Sequence, residues 1–374
     1  MASRAWHPPW HGLQWKTSMM QSWLTDEHAA PRSIAWGDAS SRVATLEDAM
    51  AERFAAGHAV AVASPMAAFH LAYRAAKRPV GTTILTTSLA DPTVVRAAVA
   101  SGYRLAFADV DERGHLAPQA VRAHVALRGT PAMIVASHHA GHAYDTADLG
   151  TIAPGALVVE DAIDALGAVT ADGRAVGSPR HAAMTIVGIH PVRSGAPAQG
   201  AVLLTDDVTL AAHCRRLRDE RTEHRLSELH AALALVELGR LPAVVELRAR
   251  LAAHYDAALA AHPLATPVAP APGTRSAWAA YLVRVPAWLR ADLHEHLRTI
   301  GIGARRLALL LHRHPYFGRY ADVLPAELPA TERFAAETLV LPTGSWPNEA
   351  DVQRVAEALV SLGTNDTPGV ALAG

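Results

Sequence analysis

Three short stretches hold the side chains best suited to chemistry. The run 137-SHHAGH-142 supplies His138, His139 and His142, 160-EDAID-164 supplies Asp161 and Asp164, and 190-HPVRSG-195 sets His190 and Arg193 between two apolar segments. Imidazoles and carboxylates are the usual general acids and bases, so His138, His142, His190, Asp161 and Asp164 are the candidates for proton transfer. Arg193 is a fixed cation at any relevant pH, suited to binding an anion or pairing with a carboxylate. The histidines also raise the question of a metal. Adjacent residues on a strand point to opposite faces, so His138 and His139 cannot both enter one site. A tetrahedral centre would need His138, His142 and a carboxylate to converge. His312 and His314 lie far along the chain, and the expectation is that no metal is held.

These residues must be positioned by an α/β framework. Short β-rich segments alternate with amphipathic helical ones: 59–64 leads into a helix through Ala76, 82–87 into 94–102, 104–111 into 115–127, 132–139 into a short helix, and 156–162 into DALGA. That alternation predicts a mostly parallel, doubly wound sheet covered by helices, with ligands bound near the strand carboxyl ends at Ser64, Thr87, His139 and Asp161. Residues 226–261 read as one long helix bent at Pro242. A Pro/Ala/Gly-rich link follows, then a smaller α+β domain. The predicted organisation is an irregular arm over 1–40 holding five of the eight tryptophans, a large domain over 41–245 and a small one over 246–374.

Composition narrows the function classes. The net charge of −1 gives no electrostatic footprint for nucleic acid or an anionic membrane. No apolar run reaches the roughly 20 residues a membrane helix needs, and the N-terminus lacks the apolar core of a signal peptide. The lone Cys214 precludes an internal disulfide framework, and a reducing cytoplasm is expected. Of 34 basic residues only Lys16 and Lys77 are lysines, so arginine serves almost everywhere a cation is needed.

The order and wording of these segments resemble the DegT/DnrJ/EryC1/StrS sugar aminotransferases. The resemblance runs from about residue 42 to near the end, through EDAIDALGA with RAVGS (160–178), HPVR…GAVLLTDD (190–207), HRLSELHAA (224–232), LHRHPYF and LPTGSWPNEADVQRVAEAL. It implies a fold-type-I pyridoxal phosphate (PLP) architecture. It also implies that a lysine should follow His-Pro-Val and form the aldimine with the cofactor. Arg193 stands there instead, and a delocalised, always protonated guanidinium cannot form that Schiff base.

Other positions that the resemblance assigns to the cofactor differ as well. The Ser-Gly-Thr phosphate cup reads Ser64-Pro65-Met66, which lacks an N–H and a hydroxyl. The ring-stacking aromatic aligns with Asp91, the phosphate-binding serine with Gly188, and the glutamine beside the phenolate oxygen with Asp164. Glu223 begins the triplet that would reach the neighbouring subunit's phosphate. Only Asp161, the partner of the pyridine nitrogen, is kept, with His138, His190 and Gly141 around it. The expectation is a repurposed, PLP-independent protein of sugar or secondary-metabolite biosynthesis, either a cofactor-free enzyme or a pseudoenzyme subunit. Asp91, Asp164 and Glu223 would then join Asp161 in an acidic pocket, with Arg193 either contacting a small-molecule substrate or locked onto Asp161. The protein would be a homodimer or a heterodimer with an active paralogue. The alternative is non-covalent use of PLP or its amine form (PMP) by a divergent aminotransferase or dehydratase.

Overall fold

In the computed structural model, residues 41–189, 199–260, 262–307, 309–321, 328–343 and 349–365 are described. The arm predicted over 1–40, together with His190 and Arg193, lies outside them. The first helix, α1 (Arg42–Arg53), starts on Ser41, whose hydroxyl accepts from the Ala44 N–H. Seven strands then form one sheet: β1 (His58–Val62), β2 (Thr83–Thr87), β3 (Arg104–Ala108), β4 (Met133–Ser137), β5 (Leu157–Ala162), β6 (Met184–Gly188) and β7 (Ala201–Thr205). Their order is β1-β7-β6-β5-β4-β2-β3. β2 through β6 pair in parallel, and β7 runs antiparallel to both β1 and β6. The expected α/β class is present, with this one reversed strand making the sheet mixed.

Strand alternation explains the two cores. On β5, Val159 packs among Val60, Ile84, Val135, Ile186 and Leu203, against helices α2 (Pro65–Ala75), α3 (Pro92–Ala100) and later α6 (Val208–Asp219). Its neighbour Val158 points the other way, to α4 (Pro118–Arg128) and the single turn α5 (Leu149–Ile152). α1 and the start of α7 (Glu228–Leu259) cover the rest of that second face through Leu46, Met50, Ala231 and Ala234. The period of two assigns side chains beyond the apolar ones: Asp161 shares the face of Val159, and Glu160 shares the face of Val158.

One expectation meets the chain differently. DALGA does not form a helix; residues 163–164 and 166–167 are turns. Gly167 adopts φ +95°, and the following Val169 exchanges two backbone hydrogen bonds of 2.8 Å with Arg275, which draws the segment away from a helical path. α7 continues through Pro242 as a single 32-residue helix, and the 245/246 division falls inside it. Its second half packs with Tyr281, Val283, Leu289 and Leu293 on a four-stranded antiparallel sheet, β10-β11-β9-β8. Those strands are β8 (Thr266–Pro267), β9 (Tyr281–Arg284), β10 (Arg305–Arg306) and β11 (Thr338–Leu341). Helices α8 (Ala287–Thr299), α9 (Pro329–Glu337) and α10 (Glu349–Asn365) complete this part.

Candidate functional site

Asp161 sits near the carboxyl end of β5 and is 7% exposed. Register places it beside Ser137 of β4, whose hydroxyl donates to Asp161 Oδ2 at 2.9 Å. The Ile163 N–H donates to the other oxygen at 3.3 Å. These two donors favour the carboxylate, yet they are outweighed. Burial first, and then the nearby Asp164, push the Asp161 pKa up to about 7, with Asp91 adding to the effect. An acid so placed exchanges its proton near neutral pH, as a general acid or base requires.

Asp91 is exposed and forms the N-cap of α3, its Oδ1 accepting from the Thr93 N–H at 2.8 Å. The turn that carries it is held from below. His312 is buried, its Nδ1 lies 2.7 Å from Ser88 Oγ, and its Nε2 lies 2.8 Å from Glu332 Oε1. The His312 backbone N–H also donates to Ser88 Oγ, so Ser88 is the hydroxyl donor to Nδ1 and Nε2–H faces the carboxylate. This Ser88–His312–Glu332 chain joins three distant segments. Sequence reasoning missed it, because nothing in the local pattern links residues 88, 312 and 332. Asp164 and Gly188 border a cavity of about 80 Å³ whose walls include Leu46, Met50, Leu238 and Leu241.

The histidines are distributed differently from expectation. His138 lies on the face opposite Asp161, its Nε2 3.6 Å from Glu160 Oε2 and its Nδ1 accepting from the Tyr144 N–H at 3.0 Å. Parity is the reason: Ser137 pairs with Asp161, so the next residue points through the sheet. Glu160 is fully buried there and accepts from the hydroxyls of Thr146, at 2.6 Å, and Thr185, at 3.0 Å. Burial would raise its pKa, but the His138 ring and the Thr146 hydroxyl hold it below the ordinary carboxylate value. His142 is also fully buried, edge-on to Trp278 with ring centroids 5.0 Å apart. Neither of its ring nitrogens has a hydrogen-bond partner among the described residues. Burial, with His139 and Arg113 nearby, lowers its pKa to about 4. No group of three or more His, Cys, Asp or Glu among the described residues could hold a metal.

Glu223 does not join the acidic cluster within this chain. It is exposed and pairs with Arg221 at 3.2 Å, because the adjoining His224 and Arg225 run along the end of β1 and turn it outward. Among the described residues the acidic group therefore consists of Asp161, Asp164 and Asp91. His190 and Arg193 lie outside the described residues, so their approach to it is not described.

The DegT/DnrJ/EryC1/StrS aminotransferase family pattern matches residues 29–360. The chain belongs to that family. DesV of S. venezuelae, solved in complex with a ketimine intermediate, is similar at 27% identity, with 87% of this chain and 91% of that one covered and a TM-score of 0.78. DesI, solved in the presence of its TDP-sugar product, is similar at 27% identity over 88% of this chain and 86% of that one, with a TM-score of 0.78. PseC of Helicobacter pylori, an aminotransferase of pseudoaminic acid biosynthesis, shares the fold at 20% identity, over 87% and 91% of the two chains, with a TM-score of 0.78.

Against the PLP that family membership implies, the fit is partial. Asp161 suits a pyridinium nitrogen, being buried and held in place by Ser137. The phosphate end offers fewer donors than the cup that the resemblance implies. α2 opens with Pro65, which has no N–H, while the Ser64 hydroxyl accepts from the Ala67 N–H at 3.1 Å and keeps its O–H as a donor. Met66 offers no hydroxyl, and Asp91, which the resemblance sets at the ring-stacking position, is an exposed helix N-cap. Arg193, which the resemblance sets at the lysine's place, lies outside the described residues, as does Lys16, and Lys77 is held elsewhere. It lies past the far end of α2, about 18 Å along the helix axis from Pro65 at 1.5 Å per residue. There its Nζ lies 2.9 Å from His213 Nε2. Among the described residues no lysine is placed to bind PLP as an aldimine.

Proposed function

We propose that this chain serves nucleotide-sugar or secondary-metabolite biosynthesis without lysine-dependent transamination, on a site now organised around carboxylates. The observation that carries this reading is the burial of Asp161 beside Ser137 with Asp164 and Asp91 near it, an arrangement that pushes its pKa up to about 7. Such a group takes up or releases a proton from a small-molecule substrate at neutral pH. Arg193, which lies between β6 and β7 in the sequence, would supply the cation that holds an anionic part of that substrate. The protein is read as cytoplasmic and dimeric, with itself or with an active paralogue. No helix among the described residues is long and apolar enough to cross a membrane.

The test is incubation of purified protein with PLP, borohydride reduction and intact mass measurement. No adduct is expected, and an adduct on a residue of the pocket would overturn the reading. Replacing Arg193 by alanine then separates a working site from a plugged one. Loss of substrate binding without loss of folding supports the former, whereas a stability change alone supports an Arg193–Asp161 plug.

A second reading rests on the same Asp161, the residue that the family resemblance sets against a pyridine nitrogen. On that reading PMP binds without a covalent link. Saturable binding of PMP that is abolished by Asp161→Ala would establish it.

A further inference from the structure

The cavity of about 80 Å³ lies at the carboxyl ends of β5 and β6, bordered by Asp164 just past the first and by Gly188 at the end of the second. The rest of its described wall is chiefly aliphatic. Leu46 and Met50 stand one turn apart on α1, Leu238 and Leu241 come from α7, and Ile163 and Ile189 follow the two strand ends.

Only three side chains of that described wall carry a charge, Asp164, Glu237 and Arg248, and all are engaged. Glu237 accepts from Arg240 Nη1 at 3.2 Å, and Asp164 and Arg248 each have an interaction of their own. None of the buried side-chain nitrogens and oxygens that lack a partner among the described residues belongs to this wall. A cavity with no unmet polar group gives water nothing to bond, so it stays dry and takes an apolar guest. One of roughly 150 Å³ holds benzene, so this cavity has room for on the order of three or four carbon atoms.

Its position ties it to the acid. Asp164 borders the cavity and is also the charge that acts most strongly on Asp161. Apolar walls joined to a few placed polar groups are the usual composition of a small-molecule site.

We infer that this cavity receives a short aliphatic group, of about three or four carbons, on a substrate whose polar part meets Asp161. The inference rests on the reading of Asp161 as the acid–base group of the site, and it narrows the substrate to an amphipathic small molecule.

The experiment titrates the full chain with straight-chain primary alcohols, from methanol to hexan-1-ol, as probes of the cavity. Two NMR signals are followed together, the ε-methyl of Met50 in the wall and the side-chain carboxyl carbon of Asp161. Affinity is expected to rise about fourfold per added methylene as far as propanol or butanol. Beyond that it should level off or fall, and both signals should give one Kd. Leu238→Phe fills the cavity and should weaken butanol binding at least about tenfold, with circular dichroism and Tm verifying the fold. Ala234→Val is the smaller filling, used if the first variant does not fold. The inference is overturned if affinity is independent of chain length, if it climbs without limit to hexanol, or if the filled variant binds as the parent does. A response of Met50 without one of Asp161 overturns it too, since the cavity would then be a void apart from the acid. None of these outcomes touches the reading of the site as PLP-independent, which fails separately, on a PLP adduct at a pocket residue.

Discussion

Asp161 concentrates the unusual electrostatics of the site in one side chain. Its folded pKa is raised from 3.8 to about 7, chiefly by burial and then by Asp164. Between those two values the unfolded chain binds fewer protons than the folded one, so this group costs stability as pH rises from about 4 to about 7. A shift of this size is on the order of 4 kcal/mol at most. Asp161→Asn keeps an oxygen to accept from Ser137 and removes the buried charge. The variant is therefore expected to melt several degrees above the parent at pH 8 and close to it at pH 4, as thermal scans across that range would show. A lower Tm at pH 8 would mean that the carboxylate is paired in the parent, as a plug by Arg193 requires. Asp161 was legible in the sequence from the EDAID run at a strand end. Its elevated pKa was not, because that depends on how deeply β5 is covered and on what stands beside it.

The segment 138–142 shows what strand parity can and cannot reveal. The sequence placed its histidines at a strand end, and that is where they lie. Which face they take followed from the pairing of Ser137 with Asp161, and register is set by partners that no local pattern names. The segment then turns through Ala140 at φ +56° and Gly141 at φ +87°, tucked under the 276–280 strip. A Cβ on Gly141 would stand 2.7 Å from the Ala279 nitrogen and 3.1 Å from the Trp278 nitrogen, both backbone atoms that cannot step aside. Gly141→Ala is accordingly expected to destabilise by at least about 2 kcal/mol, measurable by denaturant unfolding. The neighbouring His142 acts on acid stability in the opposite sense to Asp161. Its folded pKa near 4 lies below the ordinary 6.5, because burial disfavours the imidazolium. The unfolded chain binds the extra proton between those values, so stability falls as pH drops from about 6.5 to about 4. His142→Gln removes that liability, and its Tm should decline less than the parent's over the same interval.

At the scale of the molecule, one helix belongs to both cores. α7 packs Ala231 and Ala234 against the seven-stranded sheet, and Leu251, Ala252, Tyr255 and Leu259 against the four-stranded one. The sequence showed the length of this helix and placed a domain limit at 245/246, but periodicity does not say which sheet each turn meets. A rigid element shared by two cores couples their unfolding, since neither core can lose it without exposing apolar surface on the other. Tyr255 tests the coupling. It is 1% exposed, stacks on Tyr281 with ring centroids 4.6 Å apart, and donates from its hydroxyl to the Pro342 carbonyl at 3.2 Å. Tyr255→Ala should cost about 3–5 kcal/mol, the range for emptying an aromatic site in a core. If the helix transmits that loss, calorimetry will show one transition in the parent and one in the variant, displaced as a whole to lower temperature. A variant that melts in two steps, with the transition of the seven-stranded part unmoved, would show that the shared helix does not couple the cores and that the division near residue 245 is also a thermodynamic one.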